Sequence, residues 1–315
     1  MSEGRIIKGI GGIYTLIDLV TSEYINASVR GKLRYTVVSK DSSFNKQLTY
    51  KKKLETKTIK ISPKVGDYVF YQKTSDGAII EEIKPRVNDL DRPSIANIDQ
   101  VLLIFAAKRP DFQNILLDQF LALMEKANIK VKIIISKVDL LSEIEFFSLK
   151  EELDYYKAIG YDVYFVNSKD KTTLNEVKDL FKGKISVLSG QTGAGKSTFV
   201  NALIPGFNLK TQEISDALGR GKHTTTATEL YEFNEGFIGD TPGFSKLDFA
   251  LFEEQELKNY FIDFPNGCCK YRGCMHDKEP DCCVKELVLN GKIKASRYEN
   301  YLHFLEGIKN NIKKY

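Results

Sequence analysis

The sequence predicts a multi-domain chain with a small N-terminal β-barrel, a central parallel α/β domain and a C-terminal helical segment around a knot of cysteines. Three observations predict it. The first 85 residues hold short strand-like stretches separated by Gly, Asp, Ser and Asn. From about residue 100, apolar strands alternate with helix-spaced segments. All five cysteines, Cys268, Cys269, Cys274, Cys282 and Cys283, fall within sixteen residues near the end. A length of 315 residues suffices for two or three domains. Hydrophobic residues make up 42% and charged residues 28%, which excludes wholesale disorder. No apolar run approaches the roughly 18 residues of a membrane span. The N-terminus, MSEGRIIKGIGG, lacks the apolar core of a signal peptide. The expectation is a cytoplasmic monomer with no membrane attachment.

The barrel is read from GRIIKGIGGIYTLID, YINASVRG, LRYTVVS, TIKISPKVGDYVFYQ and AIIEEI. Gly11-Gly12 suits a tight turn, and Val65-Gly66-Asp67 a barrel bend. An OB-like barrel that binds RNA and an SH3-like structural barrel both fit this pattern. Charge adds a hint. Residues 1–60 carry twelve Lys or Arg against five Asp or Glu, and residues 284–315 seven against three. Since the whole chain is only +4, the centre is net acidic. Basic flanks around an acidic centre suit contact with a polyanion through the flanks; solvated lysine faces are the alternative.

A polar connector, KPRVNDLDRPS, marks a boundary, so the expected domains are 1–85, 86–246 and 247–315. Strands are expected at 101–105, 131–136, 162–166 and 185–188, with helices at 112–127, 143–157 and 174–181. This alternation argues a parallel sheet covered by helices. Beyond about residue 247, helices are expected around the cysteines.

The sharpest motif is Gly190-Gln191-Thr192-Gly193-Ala194-Gly195-Lys196-Ser197, which satisfies G-x-x-x-x-G-K-[ST] between a strand and the helix-forming STFVNAL. Its glycines let successive backbone N–H groups face phosphate oxygens, and the following helix adds the positive end of its dipole. Lys196 should reach the β- and γ-phosphates, Ser197 should ligate Mg²⁺, and Thr198 lies at the edge of the nucleotide. Asp240-Thr241-Pro242-Gly243 fits D-x-x-G about 45 residues further on, with Asp240 on Mg²⁺ and the Gly243 N–H sensing the γ-phosphate. Between them, GRGKHTTT offers a threonine to Mg²⁺; Thr225 is expected, with its neighbours as alternatives. Phe244 stands where a water-orienting Gln follows D-x-x-G in other GTPases, and it cannot hold water. His223 is the replacement, or else a surface histidine without a role.

Guanine recognition needs a carboxylate at a strand end. Ser136-Lys137-Val138-Asp139 matches N-K-x-D at three positions, with Asp139 for the base and the Lys137 stem stacked along it. Asn167-Ser168-Lys169 fits the loop whose backbone binds the guanine carbonyl. These base motifs precede the phosphate motifs, whereas ordinary GTPases run the other way. The cyclic order is unchanged, so one nucleotide site still assembles. The permutation also runs the second switch straight into the cysteine segment, and a nucleotide-driven shift of that segment is expected.

With these motifs, RPSIANIDQVLLI, GKHTTT, DTPGF and the cysteine cluster, the chain resembles the RsgA/YjeQ family of circularly permuted GTPases nearly end to end. The resemblance implies an OB-like barrel, a permuted P-loop GTPase domain and a helical zinc-binding domain. It implies GTP hydrolysis in late maturation of the small ribosomal subunit, stimulated by that subunit, with barrel and zinc domain on rRNA and His223 positioning water. The family's C-x4-C-x-H-x5-C pattern falls on Cys269, Cys274, His276 and Cys282, implying one structural Zn²⁺ beside the Mg²⁺ that accompanies GTP or GDP. Cys268 and Cys283 are adjacent spares. Lys270 and Arg272 are expected to touch phosphates. Ser136 departs from the family's Asn; losing one hydrogen bond of about 1–1.5 kcal/mol predicts roughly tenfold weaker nucleotide binding. An RNA-binding scaffold with little turnover is the second reading, favoured by Ser136.

Overall fold

A computed structural model describes residues 1–29, 36–38, 57–59, 62–90, 94–204, 229–240 and 252–312. The chain divides into two compact units. One runs from Met1 to Asn97 and takes in Glu229, Leu230 and Tyr231; the other begins at Ile98.

The first unit contains β1 (Ser2–Ile10), β2 (Ile13–Asp18), β3 (Tyr24–Val29), β4 (Thr36–Val38), β5 (Lys57–Ile59), β6 (Tyr68–Thr74), β7 (Gly77–Ile83), β8 (Asp89–Leu90) and β9 (Ile95–Ala96). Gly11 and Gly12 both take positive φ, as a two-residue hairpin turn requires, and this sets Ile10 opposite Ile13. Five strands run β1-β2-β3-β7-β6 and close by pairing β6 to β1. β3 and β7 are parallel, which a purely antiparallel meander would not contain. The closed five-stranded order is OB-like. Ile6, Leu16, Val69, Tyr71 and Ile80 fill its interior. The TVV and KTI stretches are not barrel strands: β4 and β5 pair with each other in a separate small sheet.

The polar connector is held to the barrel. Arg86 forks onto the buried Asp67 with Nε–Oδ1 2.7 Å and NH2–Oδ2 2.8 Å. β8 and β9 pair beyond it.

The second unit contains β10 (Gln100–Ala106), α1 (Asn114–Lys126), β11 (Lys130–Ser136), α2 (Glu143–Ala158), β12 (Asp162–Val166), α3 (Lys171–Lys178), β13 (Ile185–Gly190) and α4 (Lys196–Leu203). β14 (Glu229–Phe233), whose first three residues belong to the first unit, precedes β15 (Gly236–Asp240), α5 (Cys283–Leu289) and α6 (Ala295–Ile312). Its strands lie in the order β12-β11-β10-β13-β15, all parallel. Every residue of the central β10 is buried, as a strand covered by helices on both faces demands. The chain fills one side of β10 first and then the other, so the strand order reverses between β10 and β13. The carboxyl end of that reversal is where open α/β sheets bind ligands.

The C-terminal helix is fastened to this unit by a buried polar node. Arg297 donates from NH1 to Asp118 on α1 at 2.5 Å and from Nε to Asp263 at 2.8 Å. Asn300 and the Tyr156 hydroxyl also donate to Asp118, and Tyr155 donates to Asp263. Burial alone would lower the pKa of Arg297, but the two carboxylates outweigh it and hold the guanidinium above its ordinary value. Among the described residues no helix is long and apolar enough to cross a membrane.

Candidate functional site

The phosphate loop follows β13 directly. Gly190 takes φ 120°, and a Cβ there would collide with the backbone of Ile104 on β10. Gly193 and Gly195 take φ 78° and 82°, curling the chain into α4 with Gly195 at its N-cap. Gln191, Thr192 and Ala194 complete the loop, and Lys196, Ser197 and Thr198 form the first turn of the helix. The Lys196 ammonium lies over the loop, 3.1 Å from the Gly190 carbonyl and 2.8 Å from that of Gln191. Burial lowers its pKa, a cost that a bound polyphosphate would offset.

The base residues come from the next strands of the sheet. Ser136 ends β11, Lys137 takes a left-handed φ of 57°, and Val138, Asp139 and Leu140 form a single 3₁₀ turn. Lys137 Nζ donates to the Gly193 carbonyl at 2.7 Å and also to that of Arg109. Its Cε would lie 3.6 Å from a Cβ at Gly195, so its stem runs along the phosphate loop. Asn167, Ser168 and Lys169 follow β12. The Asn167 side chain accepts from the Lys169 N–H at 2.9 Å, and Lys169 Nζ reaches Asp139 at 3.1 Å. Ser136, Lys137, Asp139, Asn167, Ser168, Lys169, Ala194, Gly195 and Thr198 line one cleft of about 260 Å³. Three motifs far apart in sequence thus share one cavity.

Ser136 lines this cleft, but its hydroxyl is turned to backbone carbonyls. Its buried hydroxyl lies 2.6 Å from the Ala194 carbonyl and 3.2 Å from that of Phe105. The brace on the phosphate loop is therefore present.

Asp240 is the last residue of β15, one step beyond the Val187–Gly239 pair, at the same sheet end as the phosphate loop. His223, Thr225 and Gly243 lie outside the described residues, as do Thr241 and Pro242.

One residue, Leu140, escaped the sequence reading, and Gln191, expected there as part of the phosphate loop, has a further role. Leu140 supplies an apolar wall to the cleft, and its place just after K-x-D was the available signal. Gln191 accepts from the Ala106 N–H at 3.3 Å and donates to the Asp111 carbonyl at 2.9 Å. It thereby ties the turn after β10 to the phosphate loop. An x position in a motif gives no signal for such a role.

A sequence model of the RsgA GTPase family matches residues 83–250, more than half of the chain. The chain belongs to the RsgA GTPase family. It is 44% identical to the small ribosomal subunit biogenesis GTPase RsgA of Onion yellows phytoplasma, over 99% of this chain and 100% of that protein. Its identity to the protein of the same name from Bacillus subtilis is 40%, over the full length of both. Among solved structures it resembles YloQ, a circularly permuted GTPase, with a TM-score of 0.77 at 35% identity, covering 99% of this chain and 96% of that one. YjeQ from Thermotoga maritima superposes with a TM-score of 0.80 at 33% identity, covering 98% of each chain. The chain is a GTP hydrolase of the permuted type, and Mg²⁺ accompanies GTP in such enzymes.

The second candidate site follows the sheet. Cys269, Cys274, His276 and Cys282 place their ligand atoms within 4.8 Å of one another, a group able to hold a metal ion. His276 takes a left-handed φ of 58° and turns Nδ1 toward the thiols, 3.5 Å from Cys269, 3.5 Å from Cys274 and 3.3 Å from Cys282. Its carbonyl accepts from Tyr298 on α6, and the edge of its ring meets Phe264. Burial, helped by the charge of Lys258, keeps the imidazole below its ordinary pKa and therefore neutral, the form that binds metals. Burial also pushes the Cys274 thiol up to about 12. A cation among these groups would reverse that burial cost. Cys268 and Cys283 sit outside this set, with their Cα atoms 5.9 Å apart. Lys270 pairs with Asp281 at 3.1 Å.

Proposed function

We propose that this chain hydrolyses GTP on the small ribosomal subunit, assists the subunit's late maturation, and is stimulated by it. The carrying observation is the single cleft that joins Ser136–Asp139, Asn167–Lys169 and Ala194–Thr198, in permuted chain order. The relatives named small ribosomal subunit biogenesis GTPase supply the biological setting. In this reading Asp139 accepts from the guanine N1–H and amine, and the Asn167–Lys169 turn offers backbone N–H to the carbonyl. Lys196 and the N–H groups of Gly190–Thr198 neutralise the phosphates. Ser197, Thr225 and Asp240 would hold Mg²⁺, which would supply neutralisation of the negative charge that develops on the phosphates. His223 orients the attacking water, and Gly243 senses the γ-phosphate.

We assign the cysteine site to one structural Zn²⁺. Ligand distances of about 2.3 Å to sulfur and about 2.0–2.1 Å to nitrogen require tetrahedral S···S and S···N edges of about 3.8 and 3.5 Å. Cys269 and Cys282 stand 3.8 Å apart, and the His276 contacts run from 3.3 to 3.5 Å. With three thiolates and one imidazole the site has no open position, so its role is structural. The functional regions are 1–85, 86–246 and 247–315. The basic flanks of the first and last, with Lys270 and Arg272, meet rRNA. The protein acts as a cytoplasmic monomer off the membrane.

The test is GTP turnover by the purified protein with and without small ribosomal subunits, beside a His223→Ala variant. Strong stimulation that vanishes in the variant is expected. Background turnover in both conditions with RNA binding retained would favour the scaffold reading suggested by Ser136.

A further inference from the structure

We propose that Cys268 and Cys283 form a reversible disulfide that closes the metal-binding loop at its base, a modification site distinct from the four metal ligands. This rests on reading Cys269, Cys274, His276 and Cys282 as a zinc site. A closed tetrahedral site takes three of the five thiols. The remaining two flank the ligands Cys269 and Cys282 on their outer sides. Their Cα atoms are 5.9 Å apart. That separation falls within the roughly 4.4–6.8 Å a disulfide spans without backbone movement. Just inside them, the Lys270–Asp281 ion pair holds the two arms of the loop side by side. Cys268 is exposed while Cys283 is half-buried at the start of α5. An exposed thiol beside a sheltered partner is the arrangement of an attacked and a resolving cysteine. Cys269 Sγ lies 3.7 Å from Cys283 Sγ, so a metal that occupies Cys269 leaves Cys268 as the partner.

The chemistry balances with a peroxide as oxidant. Cys268 sulfur attacks one peroxide oxygen, the O–O bond breaks, and a sulfenic acid and one water form. Cys283 sulfur then attacks the Cys268 sulfur, the S–S bond forms, the S–O bond breaks, and a second water leaves with the two thiol protons accounted for. Two electrons pass from the sulfur pair to the peroxide, and a dithiol reverses the step. Because the linkage encloses all four ligands, the oxidised loop should release its metal to a chelator several-fold more slowly.

The test uses the reduced full-length protein with its metal bound. Its metal content is measured first, and hydrogen peroxide is then added. Thiols are blocked with N-ethylmaleimide under denaturing, chelating conditions, and the peptides are read by mass. The expected result is a Cys268–Cys283 linkage, cleaved by dithiothreitol, with one zinc retained per chain. Cys268→Ser and Cys283→Ser should each lose the linkage and keep the zinc. Five alkylated thiols after peroxide would overturn the proposal, as would a linkage through Cys269, Cys274 or Cys282. Two metal ions per chain would also overturn it, by making Cys268, Cys269 and Cys283 ligands of a second ion. Zinc absent from the reduced protein would fail the zinc reading instead, and the linkage measurement would still decide the pairing.

Discussion

Ser136 holds one hydroxyl proton within reach of two carbonyls, and the shorter contact, 2.6 Å to Ala194, is where that proton goes. The bond steadies the phosphate loop from behind. Ser136→Ala should weaken GTP binding by roughly tenfold, the worth of one buried hydrogen bond of about 1–1.5 kcal/mol. Titration with a fluorescent guanine nucleotide reads this, and an unchanged affinity would show that the brace carries no load. The serine was visible in the sequence as a departure from the family's Asn. Its contact with a residue 58 positions away was not, because sequence spacing says nothing about which carbonyl a short side chain meets. Gly190, by contrast, was legible as a motif glycine: its positive φ is a local requirement, although the backbone that leaves no room for a Cβ is that of Ile104 on the neighbouring strand.

Helix α2 starts with a reciprocal cap at the scale of one element. The Ser142 hydroxyl accepts from the Glu145 N–H, and the Glu145 carboxylate accepts from the Ser142 N–H. Glu145 also receives Lys108 at 2.6 Å from the turn after β10. Lys108 first, and then Ser142, pull the Glu145 carboxyl down to about 2 from an ordinary 4.5. A depressed carboxylate stabilises the fold above its unfolded pKa and loses that contribution as pH falls through the folded one. Glu145 should thus give a stability difference present above pH 4.5 and gone near pH 2. Thermal midpoints of wild type and Glu145→Gln across that window should converge toward acid. Parallel curves would exclude the cap as the source. The cysteine loop depends on a different bond type. Residues 265–282 contain no regular helix or strand, so a metal held by the four ligands would supply much of their order. Stripping it with a chelator should abolish amide protection over 269–283 while β10 and β13 keep theirs, as hydrogen exchange would record. The barrel was readable as strands from composition, but its membership was not. TVV and KTI have the same apolar, β-branched character as true barrel strands, and only pairing separates them.

For the molecule as a whole, the telling residue is Arg297. It faces Asp118 from 179 positions away and joins α6 to the helices that follow β10 and β11. An isolated Arg on an amphipathic helix carries no sequence sign of such a partner, which is why the node went unread. Replacing it with Ala leaves two carboxylates buried without a counter-charge and should cost about 3–5 kcal/mol. A calorimetric midpoint for Arg297→Ala equal to wild type would contradict this. Arg297→Lys should recover only part of the loss, because an ammonium cannot fork onto two carboxylates. The expected nucleotide-driven shift of the cysteine segment meets a constraint here: α6 is fastened to α1, and the same node takes in Tyr155 and Tyr156 of α2, so any such movement must carry or break it.

The same bond sets a timetable for a growing chain. The five strands β1, β2, β3, β7 and β6, which close on one another, are complete by Ile83, although β14, which pairs with β1, comes much later; the five-stranded ring should therefore close early. The parallel sheet cannot do so. Asp118 is made in its first helix, yet the guanidinium that neutralises it arrives only after almost all of the remaining residues have been added. A polypeptide halted at Lys294 should therefore carry a protease-resistant barrel joined to a cleavable remainder. On that expectation, adding the last helix should let the second unit finish folding.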